Sequence, residues 1–232
     1  MRNWEKKAHV NIINDTWQSS ENTFRLTSLN INSLNCHFDD LAVDSCILRS
    51  EAIAISENWY NKENCNPANL NGFNGYHVMA GRGKGVSLFL AEHLIMKDEP
   101  ILVNMEFMQM IKVKFRSPLK LRHVNVILAY RSPAKNNHKQ FIAELSKLIP
   151  KKGQTIICGD FNIYPNKTDD HYQTLVNTLG ALGLAQIIDK PTHIRGNILD
   201  HLYVRDFVDP SWQFHHPYYS DHDGICFMGT LQ

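Results

Sequence analysis

The sequence predicts an α/β domain in which two mixed β-sheets pack face to face with helices outside, and three observations carry that expectation. Apolar positions switch repeatedly between a period of two and a period near 3.6 along the chain. Clusters of Gly, Pro, Asn and Asp separate the periodic segments. Strands that read as antiparallel hairpins interleave with only a few helices, and no internal repeat is found.

Residues 24–30 alternate as a strand, after which Leu34, Phe38, Leu41 and Leu48 fall near one face of a helix. A short buried strand follows at 52–56, then an Asn-, Gly- and Pro-rich loop over 57–75. Strands at 76–80 and 86–90 are joined by Gly81, Gly83 and Gly85, read as a hairpin turn because no helix follows to make a phosphate-cradling loop. Further strands are expected at 108–115 and 123–129, the second running into Tyr130-Arg131-Ser132 before Pro133 ends the regularity. The clearest helix carries Phe141, Ile142, Leu145, Leu148 and Ile149 on one face, with Asn137 as its N-cap and Pro150 at its end. A buried strand at 155–158 precedes a second amphipathic helix with Tyr172, Leu175, Val176 and Leu179, whose start is marked by Asp169-Asp170. Strands at 199–204 and 224–228 complete the expected set.

The 232 residues suit one large domain, since no linker divides them, and 43% hydrophobic content supplies a core without disulfides or metal staples. Residues 1–22 are set apart as an unassigned N-terminal extension, and 23–232 form the domain. The longest apolar run, 86–91, is far below the roughly 20 residues that span a bilayer, so no membrane partner is expected. The first residues lack the apolar segment of a secretory signal. Five cysteines, scattered and odd in number, argue for a reducing intracellular compartment in which they serve as small buried hydrophobes. A net charge of +1 provides no global field, so a nucleic-acid partner requires a local basic surface.

Polar groups recur at the carboxyl ends of apolar strands. Asn30 and Asn32 close the first strand, Glu57 follows 52–56, Tyr130 follows 126–129, and Asp160 with Asn162 follow 156–159. Each alone reads as a turn former; together they place a polar set at one rim of a layered protein. Asp200, flanked by apolar residues, needs a partner, and His222 between two aspartates suits it better than His201, His215 or His216. His215-His216 reads as a solvated loop, because no metal-ligand spacing surrounds the pair. Carboxylates, amides, a tyrosine and a histidine, without a Ser-His-Asp order, point to a hard cation, Mg²⁺ or Mn²⁺, acting on a phosphate diester.

In chain order, Leu29-Asn30-Ile31-Asn32-Ser33-Leu34, Ser56-Glu57-Asn58-Trp59, Gly83-Lys84-Gly85-Val86, Ala129-Tyr130-Arg131-Ser132-Pro133, Gly159-Asp160-Phe161-Asn162, Leu199-Asp200-His201 and Ser220-Asp221-His222 resemble the endonuclease/exonuclease/phosphatase superfamily, the fold of DNase I and the apurinic/apyrimidinic endonucleases. The run from Pro191 to Asp200 resembles the endonuclease domain of LINE-type (non-LTR), jockey-like retrotransposons. The resemblance implies a four-layered α/β sandwich and a Mg²⁺-dependent endonuclease that nicks DNA, leaving a 3′-hydroxyl and a 5′-phosphate. It implies Glu57 as principal metal ligand with Asn32 and Asp221 on the metal side, and Asn30 as a phosphate or metal-shell contact. By the same resemblance Asp160 would activate the attacking water, Asn162 and Tyr130 would orient the phosphate, and His222, aligned by Asp200, would stabilise charge on it. Asn32 stands where repair-type apurinic enzymes carry an acidic residue, which weighs against a dedicated repair role.

The expected DNA contacts are Arg131 and a projecting turn carrying Lys190, Thr192, His193, Arg195 and Asn197, started by Pro191 and closed by Gly196-Asn197. A reverse transcriptase domain in a longer parent protein, and action in the nucleus, accompany this reading. Two alternatives stay open: a phosphoesterase of the same superfamily acting on RNA or phospholipid headgroups, and an inactive DNA-binding remnant.

Overall fold

The computed structural model describes residues 23–231 except 62, 64, 65, 119–121, 134–136 and 166–169. The expected extension at 1–22, and Asp169 at the start of the second long helix, lie outside the described residues. Two mixed sheets form the body of the protein.

The six-stranded sheet comprises β1 (Thr23–Asn30), β2 (Ala52–Ser56), β3 (Phe73–Val78), β4 (Val86–Ala91), β12 (Val208–His215) and β13 (Gly224–Thr230), in the order β12-β13-β1-β2-β4-β3. The seven-stranded sheet comprises β5 (Ile95–Met96), β6 (Ile101–Met105), β7 (Met108–Arg116), β8 (Val124–Arg131), β9 (Gln154–Asp160), β10 (Ala185–Gln186) and β11 (Asp200–Arg205), in the order β10-β11-β9-β8-β7-β5 with β6 also on β7. β1 pairs parallel with β2, and β8 parallel with β9; the other pairings are antiparallel.

Side-chain alternation sorts the core. Val126, Leu128, Ile156, Cys158, Leu202 and Val204 pack in the apolar layer between the sheets, with Leu26 and Phe227. Their neighbours Ile127, Ala129, Ile157 and Tyr203 face the opposite way, against helices α2 (His138–Leu148) and α3 (Asp170–Ala181). In α2, Phe141, Ile142, Leu145 and Leu148 are buried, and burial of each such side chain contributes about 1.5–3 kcal/mol. Helix α1 (Leu34–Val43) buries Leu34 and Leu41 in the same contiguous core cluster as Leu26 and Phe227. The same alternation puts Tyr130, Asp160 and Asp200, even-numbered like Leu128, Cys158 and Leu202, at the rim of the inter-sheet layer.

Several expectations are corrected. The first helix stops at Val43, and Leu48 belongs to a separate 3-10 turn (Ile47–Arg49), because Asp44 turns the chain by accepting from the backbone N–H groups of Cys46 and Ile47. Asn137 occupies the N-cap of α2 without a capping hydrogen bond, since its side-chain oxygen is taken by Arg131 at 2.6 Å. His215 is no solvated loop residue: it ends β12 and is buried against Asp44, with Nε2 2.7 Å from Oδ2. β12 escaped the periodicity because it is a largely exposed edge strand containing Pro210, with a register shift between Val208 and Ser211.

Candidate active site

Each strand end delivers one polar side chain to a shared cleft of about 490 Å³, lined by Asn30, Asn32, Glu57, Tyr130, Asp160, Asn162, His193, Arg195, Asn197, Asp221 and His222 among others. Asn30 is its organising residue. Its amide nitrogen donates to Glu57 Oε1 and to Asp160 Oδ2, both at 3.0 Å, while its amide oxygen accepts from the Asn32 backbone N–H. One buried amide therefore joins the two sheets at the point where two carboxylates meet.

Glu57 sits just past β2 in a left-handed conformation (φ 58°), which aims its side chain back over the strand ends. Two residues on, Trp59 Nε1 donates to Glu57 Oε2 at 3.0 Å, so each carboxylate oxygen has a fixed donor. Between them Asn58 is fully buried and donates to the carbonyls of Val78 and Val86 and to Ser87 Oγ.

Asp160 follows Gly159, whose φ of +127° and close approach to the Ala129 carbonyl leave no room for a Cβ, which would lie 2.1 Å from that oxygen. Burial, then the charge of Asp200, push the Asp160 carboxyl up; His222 opposes them, and Glu57 adds to the rise. Asp200 lies directly across the β9–β11 ladder from Asp160 and receives His222 Nδ1 on Oδ2 at 2.7 Å. Burial works against charge on His222, yet Asp200, Asp160 and Asp221 raise it to about 10, so the imidazole is protonated at neutral pH. Ser220 fixes its approach by donating to the Asn30 carbonyl and accepting from the His222 backbone N–H. Asn162 caps the loop after β9, donating to the Arg131 carbonyl at 2.8 Å with its own N–H on Asp160 Oδ1. The Tyr130 hydroxyl donates to the Gly83 carbonyl at 2.8 Å, and burial followed by the Glu57 and Asp160 charges keeps it protonated.

The donor set fits a hard cation. Glu57 Oε1 and Asp160 Oδ2 converge on one amide, a further buried oxygen, Asp200 Oδ1, has no hydrogen-bond partner among the described residues, and the burial and repulsion that lift Asp160 are what a bound cation offsets. Asp221, expected on the metal side, lines the cleft, where its carboxylate lies 3.4 Å from His193 Nε2 and forms with His193 and His222 a group whose ligand atoms, all within 4.8 Å of one another, could hold a metal ion.

The expected DNA-contact set divides. His193, Arg195 and Asn197 line the cleft. Their turn is stapled to the segment that carries Asp221 and His222 by an isolated bridge between His193 and His222 and by the Ile194 N–H on the Asp221 carbonyl. Arg131 and Thr192 are corrected to structural roles. Arg131 is 1% exposed and spends its guanidinium on the carbonyls of Phe161 and Asn162 and on Asn137. Thr192 is fully buried, its hydroxyl oxygen accepting from the N–H groups of Leu199 and Asp200. Lys190 lies outside the cleft lining, its ammonium 5.7 Å from the centre of the Trp212 ring. Trp59 and Ser220 were not singled out as site residues, although both stand inside motifs that carry the resemblance, Ser56-Glu57-Asn58-Trp59 and Ser220-Asp221-His222.

Residues 124–226 match the family model described as endonuclease-reverse transcriptase. The endonuclease domain of TRAS1, a telomere-specific non-LTR retrotransposon, superposes with a TM-score of 0.66 at 19% identity, covering 90% of this chain and 99% of that one. TDP2 from D. rerio, in a complex with a single-stranded DNA product, gives 0.64 at 13% identity over 90% and 99%. An AP endonuclease from Archaeoglobus fulgidus gives 0.64 at 13% identity over 88% and 98%. No curated protein matches the chain by sequence.

Proposed function

On the premise that this chain has the fold of the endonuclease/exonuclease/phosphatase (DNase I-like) superfamily, we propose that it is a Mg²⁺-dependent endonuclease that nicks DNA to leave a 3′-hydroxyl and a 5′-phosphate. The observation that carries this reading is the convergence, at one cleft, of the Asn30–Glu57–Asp160 cluster with a protonated His222 held by Asp200.

A phosphodiester resists hydrolysis because it is anionic, so the site must supply positive charge at its oxygens and a base for water. Glu57, with Asn30 and Asn32 beside it, would hold the Mg²⁺, which supplies charge neutralisation at the scissile phosphate. His222 donates from Nε2 to a non-bridging oxygen, and Asp200 on Nδ1 keeps that proton in place. Asp160, freed from repulsion once the site is neutralised, takes the proton of the attacking water. Asn162 and Tyr130 bound the phosphate pocket, and Arg195 with Asn197 extends it toward the flanking nucleotides.

The test is nicking of supercoiled plasmid with Mg²⁺ or with EDTA. Open circles that DNA ligase reseals directly are expected with Mg²⁺ alone, and Glu57→Ala is expected to abolish them without loss of folded structure. Cleavage in EDTA, or by Glu57→Ala at the wild-type rate, overturns the reading. Hydrolysis of RNA or of a phospholipid headgroup with no nicking moves the substrate to another class.

A further inference from the structure

A second cluster of reactive groups lies outside the cleft, where the turn after α1 meets the start of β13. Asp44 is its anchor: Oδ2 accepts from Tyr219 at 2.8 Å and pairs with His215 Nε2 at 2.7 Å, while Oδ1 accepts from the backbone N–H of Cys46. Cys46 stands two residues from Asp44, and Cys226 shares one face of the β12–β13 ladder with His215, since Gln213 pairs with Cys226 and His215 with Gly224. Cys226, on β13, also accepts from Thr27 Oγ1 at 3.5 Å. Both sulfurs are nearly covered, Cys46 being 9% exposed and Cys226 1%, so only a small reagent can reach them. Among the described residues the cluster does not bring three ligand atoms within 4.8 Å of one another as His193, Asp221 and His222 do, which argues against a metal cage.

We propose that Cys46 and Cys226 are a peroxide-reactive thiol pair, Cys46 being the attacking sulfur held by His215 and Asp44, and Cys226 the thiol that resolves it. The Cys46 thiolate attacks one oxygen of a hydroperoxide, the O–O bond breaks, and the products are the Cys46 sulfenic acid and an alkoxide or hydroxide that takes up a proton. The Cys226 sulfur then attacks the Cys46 sulfur, its proton leaves with the hydroxyl as water, and a Cys46–Cys226 disulfide remains. Two thiols are oxidised and one peroxide is reduced, so atoms and electrons balance.

The electrostatics agree with this division of roles. The hydrogen bond from Cys226 pulls the Cys46 thiol well below the usual range against the cost of burial, and His215 adds to the effect. Its partner moves the other way: the same hydrogen bond and burial push Cys226 up. Burial opposes charge on His215, but Asp44 and Cys46 raise it to about 9, so an imidazolium faces the thiolate at neutral pH.

Cys36, exposed on α1, is an internal reference. The folded chain is treated with hydrogen peroxide at pH 6, quenched with an alkylating agent and digested, and each cysteine is followed by mass spectrometry. Cys46 is expected to be consumed about tenfold faster than Cys36, with the Cys46–Cys226 cross-linked peptide as product. C226S is expected to stop at a sulfenic acid that a cyclic 1,3-diketone traps on Cys46, and H215Q to slow Cys46 toward the Cys36 rate. Equal rates for Cys46 and Cys36 in the wild-type chain, or a Cys46 product other than the bond to Cys226, overturns the proposal, and neither result depends on a variant that folds.

Discussion

His201 and His222 are both buried, both directly follow an aspartate in the chain, and have opposite chemistry. His201 follows Asp200 on β11 but points to the other side of the sheet, because successive strand residues face opposite ways. There it lies parallel to the Phe161 ring at 4.9 Å and pairs Nε2 with the Ile163 carbonyl at 2.8 Å, and burial depresses it to about 4. His222 receives the Asp200 carboxylate across space, with Asp160 and Asp221 near, and stays charged. The chain neighbour of Asp200 is thus the neutral histidine, and the residue 22 positions away from it is the cation. Partner geometry, not sequence adjacency, decides which imidazole can serve a phosphate.

Breaking the charged member of the comparison has the largest expected effect. His222→Ala should lower the nicking rate about 10²–10⁴-fold in a plasmid assay with circular dichroism unchanged. The neutral member should act on stability alone. Its folded-state value lies below the ordinary 6.5, so the unfolded chain takes up the extra proton in acid. Stability from the neutral ring is complete above about pH 6.5 and is lost as pH falls toward 4, on the order of 3 kcal/mol. His201→Phe should flatten that acid loss in denaturant titrations while the nicking rate per folded molecule holds.

Asp200→Asn sharpens the contrast, because it touches both histidines' surroundings but supports only one. The rate should fall about 10–100-fold. Removing its charge lowers both His222 and Asp160, so both limbs of the pH–rate profile should move to lower pH. The smallest effect belongs to the rim: Arg195→Ala should change the nicking rate a few-fold and reduce the slope of log affinity against log salt by about 1, measured on a fixed duplex.

The strands that build the core were legible because β1, β2, β4, β8 and β9 are buried along almost their whole length, and the polar residues at their ends gather at the candidate site. β12 was not legible, since its exposed residues carry no apolar period. Asn30, Glu57, Asp160, Asn162, Asp200 and His222 could be read from strand ends and motif order. Arg131 and Thr192 could not be excluded from the DNA set by sequence, because cationic and hydroxyl side chains look the same whether they meet phosphate or satisfy buried backbone. Asp44 with His215 was invisible for another reason: its members stand 171 positions apart and no apolar pattern links them.

The buried Asn58 has a consequence for how this sequence can change over time. Glu57 and Trp59 both hold left-handed backbone, at φ 58° and 57°, a conformation costing about 1–2 kcal/mol for each such residue, and Asn58 between them ties the bend to β3 and β4. A Cβ on Gly85 would lie 2.1 Å from the Asn58 side-chain oxygen. Position 85 is therefore closed to a side chain whatever stands at 58, because the same Cβ would also lie 2.9 Å from the Val78 carbonyl and the backbone holds a φ of +89°, while a change at 58 leaves Glu57 without its frame. If the proposed activity holds, active lineages should keep Gly at 85 and Asn at 58, each for its own reason, and lineages without it should be free to lose either.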